Sequence, residues 1–163
     1  MENYQTAIEI DPAFTPPYIN LSELLRSNAD DKEAVATLLQ GLANAPDDAA
    51  LEHALGLALI RAGNSAEAMN HLAKAANQAP QTPRYSYVHA VALHSTGKAA
   101  AARAKLDIAL GRHPHDPDLL SFALSLASED QDRAVMLRHA RRLAEVFPED
   151  PNWNDLIKRL QQD

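Results

Sequence analysis

The seven histidines are the side chains of this chain best suited to chemistry, because imidazole titrates near neutrality and ligates transition metals. His113 and His115 flank Pro114 and precede Asp116, the densest gathering of metal-type donors. The proline holds the two rings apart and no third donor is near, so a polar turn is expected and no metal site. His89 falls where the helical pattern wants an apolar residue, which predicts a buried, hydrogen-bonded imidazole. His71 and His139 are expected at the surface or partly buried. Asp30-Asp31, Asp47-Asp48 and Glu149-Asp150 are paired carboxylates of the kind that acid–base catalysis uses. Their places beside helix starts predict a humbler role, accepting hydrogen bonds from free backbone N–H groups. There is no glycine-rich phosphate loop, nucleophile elbow or zinc-protease helix motif. With no cysteine, disulfides, thiolate metal sites and covalent haem attachment are excluded within the chain. No enzymatic activity, metal or cofactor is expected.

The elements that would position these groups are helical. Of 163 residues 46% are apolar but only 5% aromatic, and alanine and leucine supply most of the hydrophobicity. No apolar run approaches the ~18 residues needed to span a bilayer. The formal net charge of −7 lacks the basic footprint that nucleic-acid binding needs. Arg133, Arg138, Arg141 and Arg142 form the densest cationic cluster, but seven acids share the stretch from Pro117 to Asp150. A solvated, salt-bridged helix surface is therefore expected there.

Pro12, Pro46, Pro80, Pro114 and Pro148 stand 34 residues apart each time. Within the period, Leu55-Gly56-x-x-Leu59, Gly63, Ala68-x-x-x-Leu72-x-x-Ala75 and Pro80 find counterparts in His89-Ala90-x-x-Leu93, Gly97, Ala102-x-x-x-Leu106-x-x-Ala109 and Pro114. Tyr18-x-x-Leu21-Ser22-x-x-Leu25, Ala34-x-x-x-Leu38 and Pro46 repeat the pattern once more. Small residues let paired helices approach, leucines fill the seam, glycines reverse the chain and prolines close the second helix. The expected helices are Glu2–Ile10, Thr15–Asn28, Asp31–Asn44, Ala49–Ala62, Ser65–Gln78, Pro83–Thr96, Ala99–Arg112, Pro117–Ser128, Gln131–Val146 and Pro151–Gln162. In the last pair Leu124 replaces the small residue, Gln131 the turn glycine, and Met136-x-x-x-Ala140 exchanges small for large and large for small.

This pattern resembles the tetratricopeptide repeat family over nearly the whole chain. The resemblance implies an all-α fold, a right-handed superhelix (α-solenoid) of antiparallel helix pairs. Its units would be residues 15–48, 49–82, 83–116 and a divergent 117–150. Residues 1–14 would be the second helix of a truncated repeat, and residues 151–163 a C-terminal capping helix with Trp153, Leu156, Ile157 and Leu160 on one side. A half unit at the start predicts a longer parent protein. More narrowly, His53–Leu59 and Tyr87–His94 resemble C-terminal repeat segments of large bacterial proteins, some with multihaem cytochrome modules upstream.

In the family the first helix of each pair lines the concave face. Helical spacing then aims Ile19, Glu23 and Arg26 into the groove, followed by His53, Leu57, Ile60 and Arg61. Arg84, Tyr87, Val91 and His94 come next, then Asp118, Ser121, Ser125 and Ser128. An apolar and aromatic centre ringed by arginine and imidazole suits an extended peptide or an amphipathic helix, with Tyr87 as anchor. Leu57 and Val91 could equally serve packing between adjacent first helices. Family members that clamp a chaperone's C-terminal carboxylate use lysine, arginine and asparagine at places held here by Ile19, Glu23, Ala54, Arg84 and Val88. Only Arg84 would serve, which argues against that mode. The expected function is protein–protein scaffolding. The alternatives are an appendage positioning an upstream enzymatic or electron-transfer domain, or self-association through apolar surface at Tyr4 and Ile8. Expected partners are a protein or peptide, with no nucleic acid and no membrane insertion, in the cytoplasm or, if the parent is exported, the periplasm.

Overall fold

Helices form wherever alanine and leucine recur at three- and four-residue spacing, and local chemistry at each end decides where they stop. The computed structural model describes residues 1–162 and contains no strand among them. The helices are α1 (Glu2–Ile10), α2 (Pro16–Ser27), α3 (Asp31–Asn44), α4 (Ala49–Arg61), α5 (Ser65–Gln78), α6 (Pro83–Ser95), α7 (Ala99–Arg112), α8 (Pro117–Glu129), α9 (Arg133–Val146) and α10 (Pro151–Gln162). They gather into two compact units, Met1–Pro80 with α1–α5, and α6–α10 from Gln81 onward. In the first unit each helix packs on the next, and α2 also meets α4. The second unit has the same plan, with α6 meeting α8 and α10 lying on α9. No helix of the described residues is long and apolar enough to cross a membrane.

The reversal inside each helix pair is one motif used four times. Ala29, Gly63, Gly97 and Gln131 adopt φ of 62°, 81°, 77° and 57°. The next residue's N–H then reaches back to a carbonyl of the preceding helix: Asp30 to Leu25 (3.0 Å), Asn64 to Leu59 (2.8 Å), Lys98 to Leu93 (2.9 Å) and Asp132 to Ala127 (2.9 Å). This is a Schellman closure, which satisfies carbonyls that a helix end leaves open. Asp30 and Asp132 at once cap the following helix, accepting from Glu33 N–H at 3.2 Å and Val135 N–H at 3.1 Å. Because Gln131 takes the left-handed turn, α9 begins at Arg133 rather than at the expected Gln131.

The prolines act between pairs. Asp11, Ala45, Ala79, His113 and Phe147 each precede one of the five periodic prolines, and each has left the helical region, with ψ of 90°, 75°, 66°, 67° and 67°. The proline ring disfavours the α conformation in the residue before it, so every second helix stops at the same phase. Two of the following helices, α4 and α8, start on an aspartate cap: Asp48 accepts from Ala50 and Leu51 N–H at 2.9 and 2.8 Å, Asp116 from Leu119 N–H at 2.9 Å, whereas α2 and α6 start with proline after an uncapped threonine. The acidic pairs are thus helix-start acceptors, Asp150 included, which takes Asn152 N–H at 3.0 Å.

With phase fixed, the leucines meet. Leu38, Leu51, Leu55 and Leu72 are fully buried in the first unit, and Leu106, Leu119, Leu120, Leu126 and Leu143 in the second. Each contributes about 2 kcal/mol from its removal from water. Tyr18, also fully buried, donates its hydroxyl proton to the Pro12 carbonyl (3.1 Å) and accepts from the Asn44 amide (3.2 Å). The tightest crossing joins α4 to α5: a Cβ on Gly56 would lie 2.7 Å from Leu72 Cγ and 3.3 Å from the Ala68 carbonyl oxygen. One repeat-length pair later than Ala90 and Leu106, the register puts Leu124 and Ala140, the same large–small pairing reversed. On α10 the half-buried side chains are Trp153, Leu156, Ile157 and Leu160, and Arg133 Nε donates to the Leu160 carbonyl at 2.5 Å.

Two outcomes test this account. Gly56→Ala is expected to cost about 1–3 kcal/mol by overpacking against Leu72. In a double-mutant cycle with Leu72→Ala, part of that cost is recovered, and additive denaturation energies would contradict the close approach. Gln131→Gly is expected to stabilise by about 1 kcal/mol, because glycine occupies the left-handed region without a Cβ clash. A fall in melting temperature would show that the Gln131 side chain has a stabilising contact that outweighs the strain.

Candidate binding faces

Pairing of alternate helices creates two surfaces from the first helices of successive pairs, α2 with α4 and α6 with α8. On the first surface Ile19 is half-buried against the core, Leu57 is half-buried, and Ile60 is 38% exposed. Glu23 holds Arg26 at 2.7 Å and Arg61 at 3.9 Å, while Arg61 also reaches Asp31 at 3.7 Å. Exposed pairs of this kind contribute at most ~1 kcal/mol. Their effect here is to answer the two arginines within the unit, so neither offers a spare charge to a ligand. His53 does not join this surface. It is only 8% exposed, because α4 is packed on by α2, α3 and α5 and beyond its first turn shows only Ala54, Leu57, Ile60 and Arg61.

The second surface is aromatic. Phe122, on α8, receives Tyr87 edge-on at 5.9 Å and 76°, and His94 edge-on at 5.8 Å and 80°. Tyr87, Val91 and His94 stand at i, i+4 and i+7 of α6, one stripe of a helix. His94 Nε2 lies 2.9 Å from Glu129 Oε2, which fixes the ring beside Phe122. Edge-to-face contacts contribute about 0.5–1.5 kcal/mol each beyond burial, so the rings are held before any ligand arrives. Val91 is 36% exposed and Arg84 is exposed. Phe122 was not among the expected groove residues. It stands 34 residues after Val88 and 68 after Ala54, so the repeat register places it on this stripe. Among the residues expected from α8, Asp118, Ser121, Ser125 and Ser128 are all exposed.

A second unexpected feature is a carboxylate inside the first unit. Glu52 is 2% exposed, and its oxygens meet His71 Nδ1 at 2.5 Å and Lys74 Nζ at 3.2 Å. The register explains its burial, since Tyr18, Ser86 and Leu120 fill the same position in other pairs. The charge is compensated within the fold and out of reach of a substrate in solvent. His113 and His115 do not converge on a shared partner set: His113 ends α7, and His115 lies 3.5 Å from Glu145. Among the described residues no three His, Cys, Asp or Glu side chains gather as a metal site would require.

His89 is buried as expected, but its Nδ1 has no hydrogen-bond partner. Burial, reinforced by Lys105, lowers its pKa to about 4. His139, expected at or near the surface, is 2% exposed. Burial, then Arg138 and Arg142, bring its pKa to about 4 against the opposing pull of Asp107.

No family model matches the sequence, and no curated protein does. Solved structures do. MamA shares 14% identity over 90% of this chain and 85% of its own, with a TM-score of 0.74. YrrB, described as a TPR protein with an unusual peptide-binding site, shares 18% identity over 96% of this chain and 81% of its own, at 0.71. PilF of Pseudomonas aeruginosa shares 19% identity over 97% of this chain and 72% of its own, at 0.69. The chain has the tetratricopeptide repeat fold.

The unusual groups on this fold give it a pH dependence. An unfolded chain protonates His89 and His139 near pH 6.5, whereas the folded chain resists until about pH 4. Between those values the unfolded state binds more protons, so stability is fullest above pH 6.5 and falls as pH drops toward 4. Urea midpoints are expected to decrease from pH 7 to pH 5, and the decrease is expected to shrink in His89→Leu. An equal loss in that variant would remove His89 as a cause.

Proposed function

We propose that the protein is a non-catalytic scaffold that holds a peptide or helix of a partner protein against the faces of its first helices. The observation that carries this reading is the partly exposed stripe of α6, Tyr87, Val91 and His94, preorganised against Phe122 of α8. Rigid aromatic surface lowers the entropy cost of binding, and an amphipathic ring accepts both apolar and polar ligand groups. Arg84 beside it supplies an exposed cation for acidic ligand residues. In the other unit, Ile19, Leu57 and Ile60 offer a second apolar stripe, with Glu23, Arg26 and Arg61 as a self-compensated polar edge. The fold neighbour YrrB, described by its peptide-binding site, supports a peptide as the ligand class. The sequence carries no catalytic motif, and among the described residues no metal constellation gathers that would favour catalysis.

A peptide selected on the immobilised protein from a random displayed library tests this. Tyr87→Ala and Phe122→Ala are each expected to weaken such a peptide by about 2 kcal/mol or more, with helical circular dichroism retained. Arg84→Ala is expected to slow association and reduce its salt dependence. Arg141→Gln, on α9, is expected to leave affinity unchanged. Selected peptides that bind both aromatic variants as they bind the parent, but lose affinity in Arg141→Gln, would place recognition on the second helices instead.

A further inference from the structure

The arginines of α9 do not form the salt-bridged surface expected from sequence. Among the described residues no carboxylate lies within 4.0 Å of Arg138, Arg141 or Arg142, although the chain carries 22 acids against 15 bases. Two of these unanswered cations, Arg138 and Arg142, stand at i and i+4, a like-charge spacing that weakens a helix. Between them in sequence, and facing the same place, is His139, buried and with Nδ1 lacking a partner.

The place they share is a pair of adjoining cavities within the second unit. One, of about 200 Å³, is lined by Asp107, Leu110, Gly111, Arg138, His139 and Arg142. The other, of about 120 Å³, is lined by residues of α7, α8 and α9 and shares Asp107, Arg138 and His139. Arg103 also lines this second cavity; it pairs with Asp130, yet its Nε is buried and unpartnered. A water occupies about 30 Å³, so the outer cavity has room for a group of several heavy atoms. Gly111 supports the same conclusion from the opposite wall. Unlike Gly56, a Cβ built there would meet nothing within 4 Å, so packing does not demand a glycine that costs α7 about 1 kcal/mol in helix propensity. Its effect is to leave that exposed wall free of a side chain.

We infer that this cavity between α7 and α9 is a binding site for an oxyanion, a phosphate or carboxylate group of a small ligand. Two guanidinium groups against the single carboxylate of Asp107 give the outer cavity a positive balance in an acidic protein. Guanidinium forks match the oxygens of phosphate and carboxylate, and such charge-assisted hydrogen bonds are the strong ones. The imidazole of His139 lines the same cavity, so its resonances report on what occupies it. An anion at this point also relieves the repulsion between Arg138 and Arg142.

The site is independent of the first-helix faces, so the two readings fail separately. Inorganic phosphate and sodium acetate, each titrated at constant ionic strength against chloride, are followed through the imidazole resonances of His139 in the whole protein. Saturable movement of the His139 signals by phosphate, by acetate or by both is expected, and the stronger of the two identifies the oxyanion. Arg138→Gln and Arg142→Gln are each expected to weaken it at least about tenfold, the loss of one charge-assisted contact. Tyr87→Ala is expected to leave it unchanged. The inference is overturned if chloride moves His139 as far as either oxyanion does, if neither oxyanion saturates, or if the response survives both arginine substitutions in protein of unchanged circular dichroism.

Discussion

Chain reversal is the constraint on which every packed surface in this protein depends. A helix that runs one residue too far turns its side chains by about 100°, which would carry a leucine from the seam to solvent. The protein prevents this twice per repeat. A left-handed residue with a Schellman closure ends each first helix, and a pre-proline residue forced out of the helical region ends each second one. Both devices are local backbone chemistry and need no tertiary contact to operate. The leucines and alanines then need only the right period, because phase has already been imposed.

That division explains what could be read from the sequence. Helix existence, order and phase follow from a 34-residue period and from local signals, so α1, α3, α5, α7 and α10 have the expected bounds. The start of α9 could not be read this way. Gln131 looks like a helix former, and only the closing bond from Asp132 N–H to the Ala127 carbonyl explains why it is held at φ 57°. Ala29 does the same at the first reversal, at φ 62°. The motif is stronger than the preference of the residue that occupies it. Likewise, the reversed sizes at Leu124 and Ala140 look like degeneration one residue at a time, yet Gly56 and Leu72 show that such positions are filled in pairs.

The faces were less legible, for a related reason. A helical wheel assigns directions but cannot say how many neighbours crowd each direction. On α4 three helices crowd it, so His53 is inside and the free stripe is displaced toward Ala54. On α8 the same displacement brings out Phe122, which a search for turned-out polar residues passes over in favour of its serine neighbours. Comparison along the register rather than around the wheel recovers both, since Ala54, Val88 and Phe122 are one position growing from methyl to ring. Glu52 is the same lesson inside the core. Its position holds tyrosine, serine and leucine elsewhere, and a carboxylate is tolerated only because His71 and Lys74 come from the following helix to meet it.

Charge placement then separates the surfaces by what they leave unfinished. Arg26 and Arg61 on the first helices are answered by Glu23 and Asp31, so that edge is electrostatically closed and its recognition rests on apolar contact. On α9 the reverse holds. Acids are plentiful in the flanking turns, but Glu145, one turn from Arg141, lies nearest His115, and Asp130 is taken by Arg103. Arg138 and Arg142 are left beside a buried imidazole, across from an exposed glycine. Long side chains in a net-acidic protein find counter-charges readily when nothing else organises them. Arg138 and Arg142 therefore repel one another beside a shared cavity, and an external anion is the species whose arrival offsets that repulsion.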